Sequence, residues 1–411
     1  MKILYVLHDY LPRHSGGSEL HTHQLAKAMI ARGHDVHVMF TERDLSRPEG
    51  DVEEGEFEGV PTVEVVHQRE YPCLSETWNQ TFFAEVFRAQ IARLDPDVVH
   101  FHHTAFWGAH CLEIAKAYGA RVLMTAHDYH LICHNAVLLD GDRLCNGGGA
   151  EGGCGACLPP ELAQEGEAEL QAGARARRVM HRRAFGAVDH VISPSHFLFT
   201  RFDGVDMSVP EDKRSVILSG YPGERKPVRK RIALAPLRVV YVGGVYHAKG
   251  VHVLVDAMRT LGGRDRTGRP SIELVLHGHL DWFPDYAAGL REMATGLAVT
   301  FAGPFPPGSS AEVLADADVL VVPSIWYENR PITIPEAYLN GVVPVATDLG
   351  GMAESVRHDV DGLLFPRGDG PALADALERL ADEPGLWDRL AAGRPDLPDV
   401  PEIAAQIESL Y

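Results

Sequence analysis

The chain has 411 residues, of which 45% are apolar, and its formal net charge at pH 7 is −19. This length allows two domains of about 200 residues each, and the apolar content excludes a largely disordered chain. We expect no nucleic-acid partner, because a strongly acidic surface repels phosphate groups. No apolar run approaches the roughly 20 residues that cross a bilayer, and no secretory signal is recognisable, so we expect a cytoplasmic protein.

Short apolar runs alternate with helical stretches such as 19–32 and 109–118. This rhythm predicts parallel sheets that are covered by helices on both faces. The predicted strands are 3–7, 35–40, 98–101, 122–125 and 190–193 in the first half, and 237–242, 272–276, 299–302, 319–322 and 343–346 in the second. The sequence therefore predicts an α/β protein with two Rossmann-like, doubly wound domains that face a central cleft.

The Pro-rich, basic segment 221–231 predicts a linker between these domains. We place the N-terminal domain at 1–220, with a cysteine-rich loop at 133–157, and the C-terminal domain at 221–400. Prolines interrupt the chain near residue 400, and residues 401–411 then have the pattern of one last helix.

Three glycine-containing loops follow predicted strands. Gly16-Gly17 precedes the first helix, Gly350-Gly351 follows the last strand, and segment 242–250 places Lys249 beside a glycine. Glycine lets the backbone approach an anion closely, and a helix N-terminus offers free N–H groups. These loops are therefore candidate phosphate-binding sites, although Gly16-Gly17 is also typical of a plain tight turn.

Two glutamates, Glu328 and Glu336, follow the predicted strand 319–322. Pro331 and Pro335 lack N–H donors and fit the start of a helix, which places Glu328 in the loop and Glu336 in the opening turns. Ligands of α/β proteins bind at this edge of the sheet. A carboxylate only accepts hydrogen bonds, so the pair suits a ligand rich in hydroxyl groups. Capping of the helix N-terminus is the alternative interpretation.

This block resembles the retaining glycosyltransferases of the GT-B fold, in particular family 4. The resemblance rests on the Glu-seven-residues-Glu spacing and on the Gly341-Val-Val-Pro-Val and Asp348-Leu-Gly-Gly-Met-Ala-Glu354 runs that follow it. It implies that Glu328 contacts the transferred sugar of a nucleotide-sugar donor and that Glu336 holds the ribose. It also implies that the donor binds the C-terminal domain, that the acceptor binds the N-terminal domain, and that the final helix crosses back to the latter.

The same resemblance assigns residues to the diphosphate. Lys249 matches a family lysine that neutralises it, whereas Gly244 stands where the family has an arginine. Arg330, near the sugar-binding loop, is a candidate replacement for that arginine. The other predicted donor-binding residues are glycines at strand ends: Gly16, Gly17, Gly278, Gly350 and Gly351.

His127, in Leu123-Met-Thr-Ala-His-Asp-Tyr129, matches a family histidine that contacts the donor sugar near its 6-position. We expect it to position the sugar and to stabilise charge, not to act as a base. Together with Glu328 and Lys249 it completes the predicted catalytic set.

The expected activity is transfer of a sugar from a UDP- or GDP-sugar to a hydroxyl group with retention of configuration, as in a hexosyltransferase. The acceptor is expected to be a glycan, a lipid-linked molecule or a small molecule. In the mechanism that the resemblance implies, the leaving diphosphate accepts the proton of the incoming hydroxyl. A nucleotide-sugar epimerase, a phosphorylase and a non-catalytic nucleotide-sugar-binding protein are the alternatives.

Four of the six cysteines lie close together in the chain, at Cys133, Cys145, Cys154 and Cys157. The segment is rich in glycine, so it has little core of its own and needs a staple. Four thiolates that end in a Cys-x2-Cys pair suit a structural zinc ion. An iron–sulfur cluster, two disulfides and free thiols are the alternatives, and disulfides fit a cytoplasmic protein poorly. Some family 4 members resemble this chain in carrying a cysteine-bearing insertion at this place.

Two other clusters have no predicted catalytic role. His100, His102 and His103 alternate along a strand, which sends His103 to the opposite face and argues against a shared metal. Asp95-Pro-Asp97 and Asp316-Ala-Asp318 match a metal motif of another glycosyltransferase fold, but each precedes a strand. We interpret both as turns and expect no catalytic metal.

The basic stretch 175–183 follows the cysteine-rich loop. We expect it to form a solvated helix face that the acidic stretch 161–169 balances. The alternative is contact with anionic lipid or a phosphorylated acceptor, which would make the protein peripheral at the inner membrane face.

Overall fold

The computed structural model describes residues 1–69, 74–147, 154–157, 167–205, 207–232, 234–306 and 308–411. These residues form two compact units. One comprises Met1–Pro222 together with Pro398–Tyr411, and the other comprises Gly223–Leu397. The sequence analysis placed the ends of the N-terminal and C-terminal domains at residues 220 and 400, and the observed divisions lie at residues 222 and 397.

The first unit contains an eight-stranded sheet and a small hairpin. Its strands are β1 (Lys2–Leu7), β2 (Asp35–Arg43), β3 (Val52–Phe57), β4 (Val60–His67), β5 (Val98–Phe101), β6 (Arg121–Thr125), β7 (Leu139–Asp140), β8 (Arg143–Leu144), β9 (His190–Ser193) and β10 (Arg214–Val216). The sheet has the order β10-β9-β6-β5-β1-β2-β4-β3, and every pair is parallel except β3 with β4. The connecting helices are α1 (Gly17–Ala31), α2 (Thr81–Leu94), α3 (His110–Tyr118), α4 (Glu167–Phe185) and α5 (His196–Asp203).

The second unit contains a six-stranded parallel sheet. Its strands are β11 (Leu237–Val242), β12 (Ile272–His277), β13 (Val299–Gly303), β14 (Val319–Val322), β15 (Val343–Thr347) and β16 (Leu363–Phe365), in the order β13-β12-β11-β14-β15-β16. Its helices are α6 (Val251–Gly262), α7 (Pro284–Met293), α8 (Ser310–Leu314), α9 (Thr333–Asn340), α10 (Gly350–Ser355), α11 (Gly370–Asp382) and α12 (Leu386–Ala392).

The last helix, α13 (Val400–Glu408), belongs to the first unit and packs against α1. It begins with a capping box, in which the Asp399 side chain accepts a hydrogen bond from the Glu402 backbone N–H at 2.8 Å. Its apolar face is buried in the same core as β1 and α1 through Ile403, Ala404 and Ile407. The chain ends with Tyr411, whose hydroxyl lies 2.9 Å from that of Tyr5.

All ten predicted strands are present with ends that differ by at most three residues, and the doubly wound α/β fold is confirmed. The sequence analysis did not predict β3, β4, β10, β16 or the β7–β8 hairpin. β3 is an edge strand of sequence Val-Glu-Glu-Gly-Glu-Phe and is largely exposed, so it carries no apolar signal. Charged residues of this kind are common on sheet edges, where they discourage pairing with another chain.

Both sheets have a point at which the strand order reverses. In the first unit it lies between β1 and β5, and in the second it lies between β11 and β14. Open α/β sheets bind ligands at such points, outside the carboxyl ends of the strands. These two places are therefore where functional side chains are expected.

Among the helices that the structure describes, none is long and apolar enough to cross a membrane.

Candidate functional site

An ion pair occupies the reversal point of the second sheet. Lys249 ends a short 3₁₀ turn after β11, and Glu328 lies in the loop after β14. The Lys249 Nζ lies 2.7 Å from Glu328 Oε1, and the two side chains are 24% and 8% exposed. Burial disfavours the ammonium ion, but the attraction of the Glu328 carboxylate, helped by Tyr246, outweighs it and raises the pKa of Lys249. The site therefore keeps a fixed positive charge next to a carboxylate.

Glu328 is held through one of its two carboxylate oxygens. Besides Lys249, Ser324 Oγ donates to Oε1 at 2.7 Å and Trp326 Nε1 donates to the same atom at 3.0 Å. Within the described residues, no hydrogen bond reaches Oε2. Three donors thus fix the orientation of the carboxylate, and its second oxygen remains for the hydroxyl groups of a ligand.

Sequence reasoning missed the residues that surround this pair. Ser324 and Trp326 occupy alternate positions before Glu328, in the same loop, and this spacing is the only signal that could have identified them. The Lys249 Nζ also lies 5.4 Å from the ring centre of Trp326 and 6.0 Å from that of Tyr246. Both distances suit cation–π attraction, which further stabilises the ammonium ion in this place.

Two glycines allow the loops of this site to pack closely. A Cβ atom on Gly351 would lie 1.4 Å from the carbonyl oxygen of Asn329, and one on Gly250 would lie 1.9 Å from that of Pro323. The Gly351 N–H donates to the Glu328 carbonyl oxygen at 2.8 Å. The N-terminal ends of α10 and α6 therefore pack directly against the loop that carries Glu328. The phosphate-binding role of Gly350-Gly351 stays a prediction.

Gly244 and Gly278, also predicted to bind the donor, lie beyond the ends of β11 and β12. A Cβ atom on Gly278 would lie 2.0 Å from the carbonyl oxygen of Gly243, and one on Gly244 would lie 2.8 Å from the Tyr246 ring. Close packing alone thus requires a glycine at 278. At 244, the Tyr246 ring occupies space next to the position where the family has an arginine.

Arg330 lies two residues after Glu328 and is half-buried. Its Nε is buried and has no hydrogen-bond partner among the described residues. A buried donor without a partner costs free energy, so a ligand that accepts from this guanidinium would be stabilised. Its contact with a diphosphate stays a prediction.

Glu336 lies in the first turn of α9. Its Oε1 accepts a hydrogen bond from Ser310 Oγ at 2.9 Å. Burial raises the pKa of Glu336 to about 6, although the bond from Ser310 opposes this shift. The carboxyl group therefore changes its charge close to neutral pH, which a group that only capped the helix in solvent would not do.

The loop Gly16-Gly17 precedes α1 in the first unit, with Gly17 as the first helical residue. A Cβ atom on Gly16 would lie 2.4 Å from Oε2 of Glu19, so the glycine leaves room for this side chain to fold back over the helix start. Glu19 is 4% exposed, and burial raises the pKa of its carboxyl group. The start of α1 thus faces a carboxyl group of its own chain, and phosphate binding by this loop stays a prediction.

His127 follows β6 and belongs to a group of three histidines that the sequence analysis did not bring together. Its Nε2 lies 2.9 Å from His102 Nδ1, and its ring centre lies 5.2 Å from that of His21. Burial lowers the pKa of all three imidazoles, that of His21 to about 4, so they are neutral at pH 7. The sheet order places β5 beside β6, and this neighbourhood is what brings His102 to His127.

The opposite orientation of His103 is confirmed. His100 stacks on His102 with ring centres 4.5 Å apart, whereas His103 lies 4.5 Å from His130 and 4.2 Å from His8. Period-two alternation along the strand was therefore a sound guide to its faces. It could not show that His102 meets histidines from other elements.

The four clustered cysteines are described and form no disulfide in the described structure. Burial, Asp140 and the neighbouring thiols of Cys133 and Cys145 raise the pKa of Cys157 to about 12. Among the described residues, no three of these sulfur atoms lie within 4.8 Å of one another. Residues 148–153, which complete the predicted loop, lie outside the described residues, and a metal here stays a prediction.

The prediction of a solvated basic face is wrong for part of α4. Arg177 and His181 are 3% and 0% exposed. Arg177 donates through Nε to Thr77 Oγ1 at 3.1 Å and through Nη2 to the His130 carbonyl oxygen. Their spacing of four residues puts both on one face of the helix, which packs inward. Residues 161–166 of the acidic stretch lie outside the described residues, and contact with lipid stays a prediction.

Comparison with known proteins identifies the family. The profile described as Glycosyltransferase Family 4 matches residues 15–225, and the profile described as Glycosyl transferases group 1 matches residues 236–383. A D-inositol 3-phosphate glycosyltransferase of Actinosynnema mirum is 29% identical over 404 residues, which cover 92% of this chain and 86% of that protein. A glycogen synthase of Mycobacterium tuberculosis is 25% identical over 415 residues, which cover 95% and 88%.

Solved structures show the same fold. The sucrose-phosphate synthase of Thermosynechococcus elongatus has a TM-score of 0.72 at 21% identity, and the match covers 100% of this chain and 98% of that one. The Anabaena protein HepE, in complex with UDP and glucose, has a TM-score of 0.68 at 17% identity, with 100% and 99% covered. At these identities the likeness establishes the GT-B fold alone. Because the Glycosyltransferase Family 4 profile matches more than half of this chain, the chain belongs to glycosyltransferase family 4.

Proposed function

We propose that this protein is a retaining glycosyltransferase that moves a sugar from a UDP-sugar to a hydroxyl group of an acceptor. The Lys249–Glu328 pair at the reversal point of the second sheet carries the proposal. A UDP-linked donor is supported by structural neighbours, since HepE was crystallised with UDP and with UDP-glucose. A GDP-sugar is the other donor to test.

Lys249 is assigned to the leaving diphosphate. Breaking the bond between sugar and phosphate leaves negative charge on the diphosphate, and a partly buried, fixed ammonium ion stabilises that charge better than one in bulk water. An oxygen of the leaving diphosphate then accepts the proton of the attacking hydroxyl group as the new sugar–oxygen bond forms. Since Gly244 replaces the arginine of the family, Arg330 is the candidate for a second cation, and its buried, unpartnered Nε supports this assignment.

Glu328 is assigned to the transferred sugar. Its Oε1 is occupied by Lys249, Ser324 and Trp326, and Oε2 can accept hydrogen bonds from sugar hydroxyl groups. The fixed carboxylate also favours positive charge on the sugar as the bond to phosphate breaks. His127 is assigned to a hydroxyl group of the donor sugar by the family resemblance.

Glu336 is assigned to the ribose of the donor. An ionised carboxylate accepts hydrogen bonds from both ribose hydroxyl groups, and the pKa of about 6 keeps Glu336 mostly ionised at neutral pH. The acceptor is assigned only to a class, a hydroxyl group on a glycan, a lipid-linked molecule or a small molecule. The names of the relatives, which include a D-inositol 3-phosphate glycosyltransferase and a glycogen synthase, support an acceptor with many hydroxyl groups.

A structural zinc ion held by Cys133, Cys145, Cys154 and Cys157 is part of the proposal. A closed four-thiolate site would staple a glycine-rich segment without taking part in transfer. Elemental analysis of tag-free protein tests it, and less than about half an equivalent of zinc or iron would remove it.

The activity is tested by incubating the purified chain with a panel of UDP- and GDP-sugars without acceptor. A ligand that binds only the folded protein raises its unfolding temperature, so a thermal-shift screen first identifies the donor. Slow release of nucleoside diphosphate then supports a transferase. Conversion to an isomeric nucleotide-sugar would identify an epimerase instead, and tight binding without turnover with any acceptor would identify a binding protein.

A further inference from the structure

Three histidines from three elements meet at the reversal point of the first sheet. His21 comes from α1, His102 follows β5 and His127 follows β6. One ring nitrogen of each lies within 4.8 Å of one from each of the others. The order of β5 and β6, together with α1, therefore gathers three imidazoles at the place where open α/β sheets bind ligands.

Hydrogen bonding satisfies only part of this group, through the 2.9 Å contact between His102 Nδ1 and His127 Nε2. The Nε2 atoms of His21 and His102 are buried and have no hydrogen-bond partner among the described residues. His100, which stacks on His102, shows the contrast, because its ring nitrogens lie 2.8 Å from the Tyr411 hydroxyl and 2.8 Å from Thr125 Oγ1. A buried polar atom without a partner costs free energy. Two such atoms in one cluster indicate a ligand that would satisfy them.

We propose that His21, His102 and His127 bind a divalent transition-metal ion, with Zn²⁺ as the best match. Zinc–imidazole bonds of 2.0–2.1 Å in tetrahedral geometry put two ligand nitrogens ~3.3 Å apart. The three candidate ligand nitrogens lie within 4.8 Å of one another, which is at most ~1.5 Å beyond that distance. Only small side-chain movements are therefore needed to close the site.

The ligand set selects the ion. Imidazole nitrogen suits zinc, cobalt, nickel and copper, whereas magnesium and calcium prefer oxygen ligands. Three protein ligands leave a fourth position open for water, as in zinc sites that exchange ligands. This site is distinct from the cysteine cluster, whose ligands would be thiolates.

Metal binding has a consequence that rests on the proposed function. His127 is assigned to the donor sugar, and a metal-bound imidazole cannot make that hydrogen bond through the same nitrogen. Zn²⁺ should therefore inhibit sugar transfer. Metal binding itself does not depend on any transferase activity, so the two ideas can fail separately.

The test is a Co²⁺ titration of the full, tag-free chain, read by visible absorbance. Cobalt on thiolates gives an additional intense charge-transfer band in the near ultraviolet, which imidazole ligands do not give, so the two sites are distinguished in one spectrum. The comparison uses His21→Gln, which removes one ligand and no residue assigned to the donor, and His37→Gln, a matched control on β2. Thermal unfolding of each metal-free variant checks that it folds, and His127→Gln takes the place of His21→Gln if the latter does not fold.

We expect the wild type and His37→Gln to bind one equivalent of Co²⁺ in addition to any equivalent that produces a thiolate band. Zn²⁺ should displace this additional equivalent. His21→Gln should bind more weakly by over ~10-fold, the lower end of the loss seen even for outer-shell partners. Equal affinity in His21→Gln and the wild type would overturn the site. So would the absence of saturable binding, or a spectrum that thiolate ligands explain entirely.

Discussion

The Nζ atom of Lys249 lies 2.7 Å from Oε1 of Glu328, although 79 positions separate the two residues. The neighbouring strands β11 and β14 bring them together at the point where the strand order of the second sheet reverses. Each charge stabilises the other. A donor diphosphate would have to share the ammonium ion with Glu328, so under the proposed function this single contact links donor binding to the orientation of the carboxylate assigned to the sugar.

Replacing Lys249 by alanine should lower kcat at least about a hundredfold, the usual scale for losing one fixed charge that stabilises a transition state. Steady-state release of nucleoside diphosphate from the donor measures kcat. Lys230→Ala, which removes an exposed lysine from the same unit, is the control for charge and should leave kcat unchanged. A Lys249→Ala enzyme with a near wild-type rate would contradict the assignment to the leaving group.

Glu328→Gln should mainly lower kcat. The amide keeps the size of the side chain but removes the negative charge proposed to stabilise the sugar as it loses phosphate. It also leaves the partly buried Lys249 ammonium without its ion-pair partner. Steady-state kinetics with the identified donor separate kcat from KM. A variant that changes only KM would show that Glu328 contributes ground-state binding and not catalysis.

Glu336→Ala should mainly weaken donor binding, because the ribose loses its acceptor while the reacting atoms are untouched. Isothermal titration with the nucleotide-sugar measures this directly, and Ser310→Ala serves as a milder variant that removes only the bond to Oε1. If Glu336→Ala slowed turnover without changing donor affinity, the roles assigned to the two glutamates would have to be exchanged.

Donor affinity should depend on pH through Glu336. Its pKa is raised to about 6 in the free protein, so the carboxylate that accepts from ribose is lost as the pH falls through that value. If only the ionised form binds, the donor Kd rises about tenfold for each pH unit below 6 and is constant above about 7. The Glu336→Gln variant should show no such dependence, and an unchanged profile in that variant would mean that another group titrates.

Gly351→Ala should destabilise the second unit strongly, by more than about 3 kcal/mol, because the new Cβ atom would lie 1.4 Å from a backbone carbonyl oxygen that cannot move alone. Gly289→Ala is the matched control, since nothing lies within 4 Å of its Cβ position in α7. That substitution should stabilise the protein by about 0.5–1 kcal/mol, because alanine loses less backbone freedom in a helix. Equal unfolding midpoints in urea for the two variants would refute the packing argument.

The fold was largely predictable because buried parallel strands carry their own apolar signal. All ten predicted strands exist, and the missed edge strand β3 is polar on both faces and gives no such signal. The buried strand β4, Val60–His67, does carry an apolar signal, and sequence reasoning overlooked it. The Glu328 and Glu336 positions followed from two prolines and one strand. The Lys249–Glu328 contact did not, because a contact between residues 79 positions apart depends on the strand order, which local patterns do not determine.

The same limit explains the errors in the first unit. Arg177 and His181 have the composition of a solvated basic helix, yet their spacing of four residues places them on the face that packs against Thr77 and His130. Composition described the helix as a whole, and only packing selected the buried face. His21 and His102 were overlooked next to His127 for a related reason, since three different elements supply them.

Release of nucleoside diphosphate from the donor without acceptor, compared between the wild type and Glu328→Gln, tests the central claim most directly. The account predicts slow but measurable release by the wild type from at least one UDP- or GDP-sugar, and a rate at least about a hundredfold lower in the variant at saturating donor. Equal rates in the two proteins, or binding of the donor with no release under any condition that includes an acceptor, would contradict it.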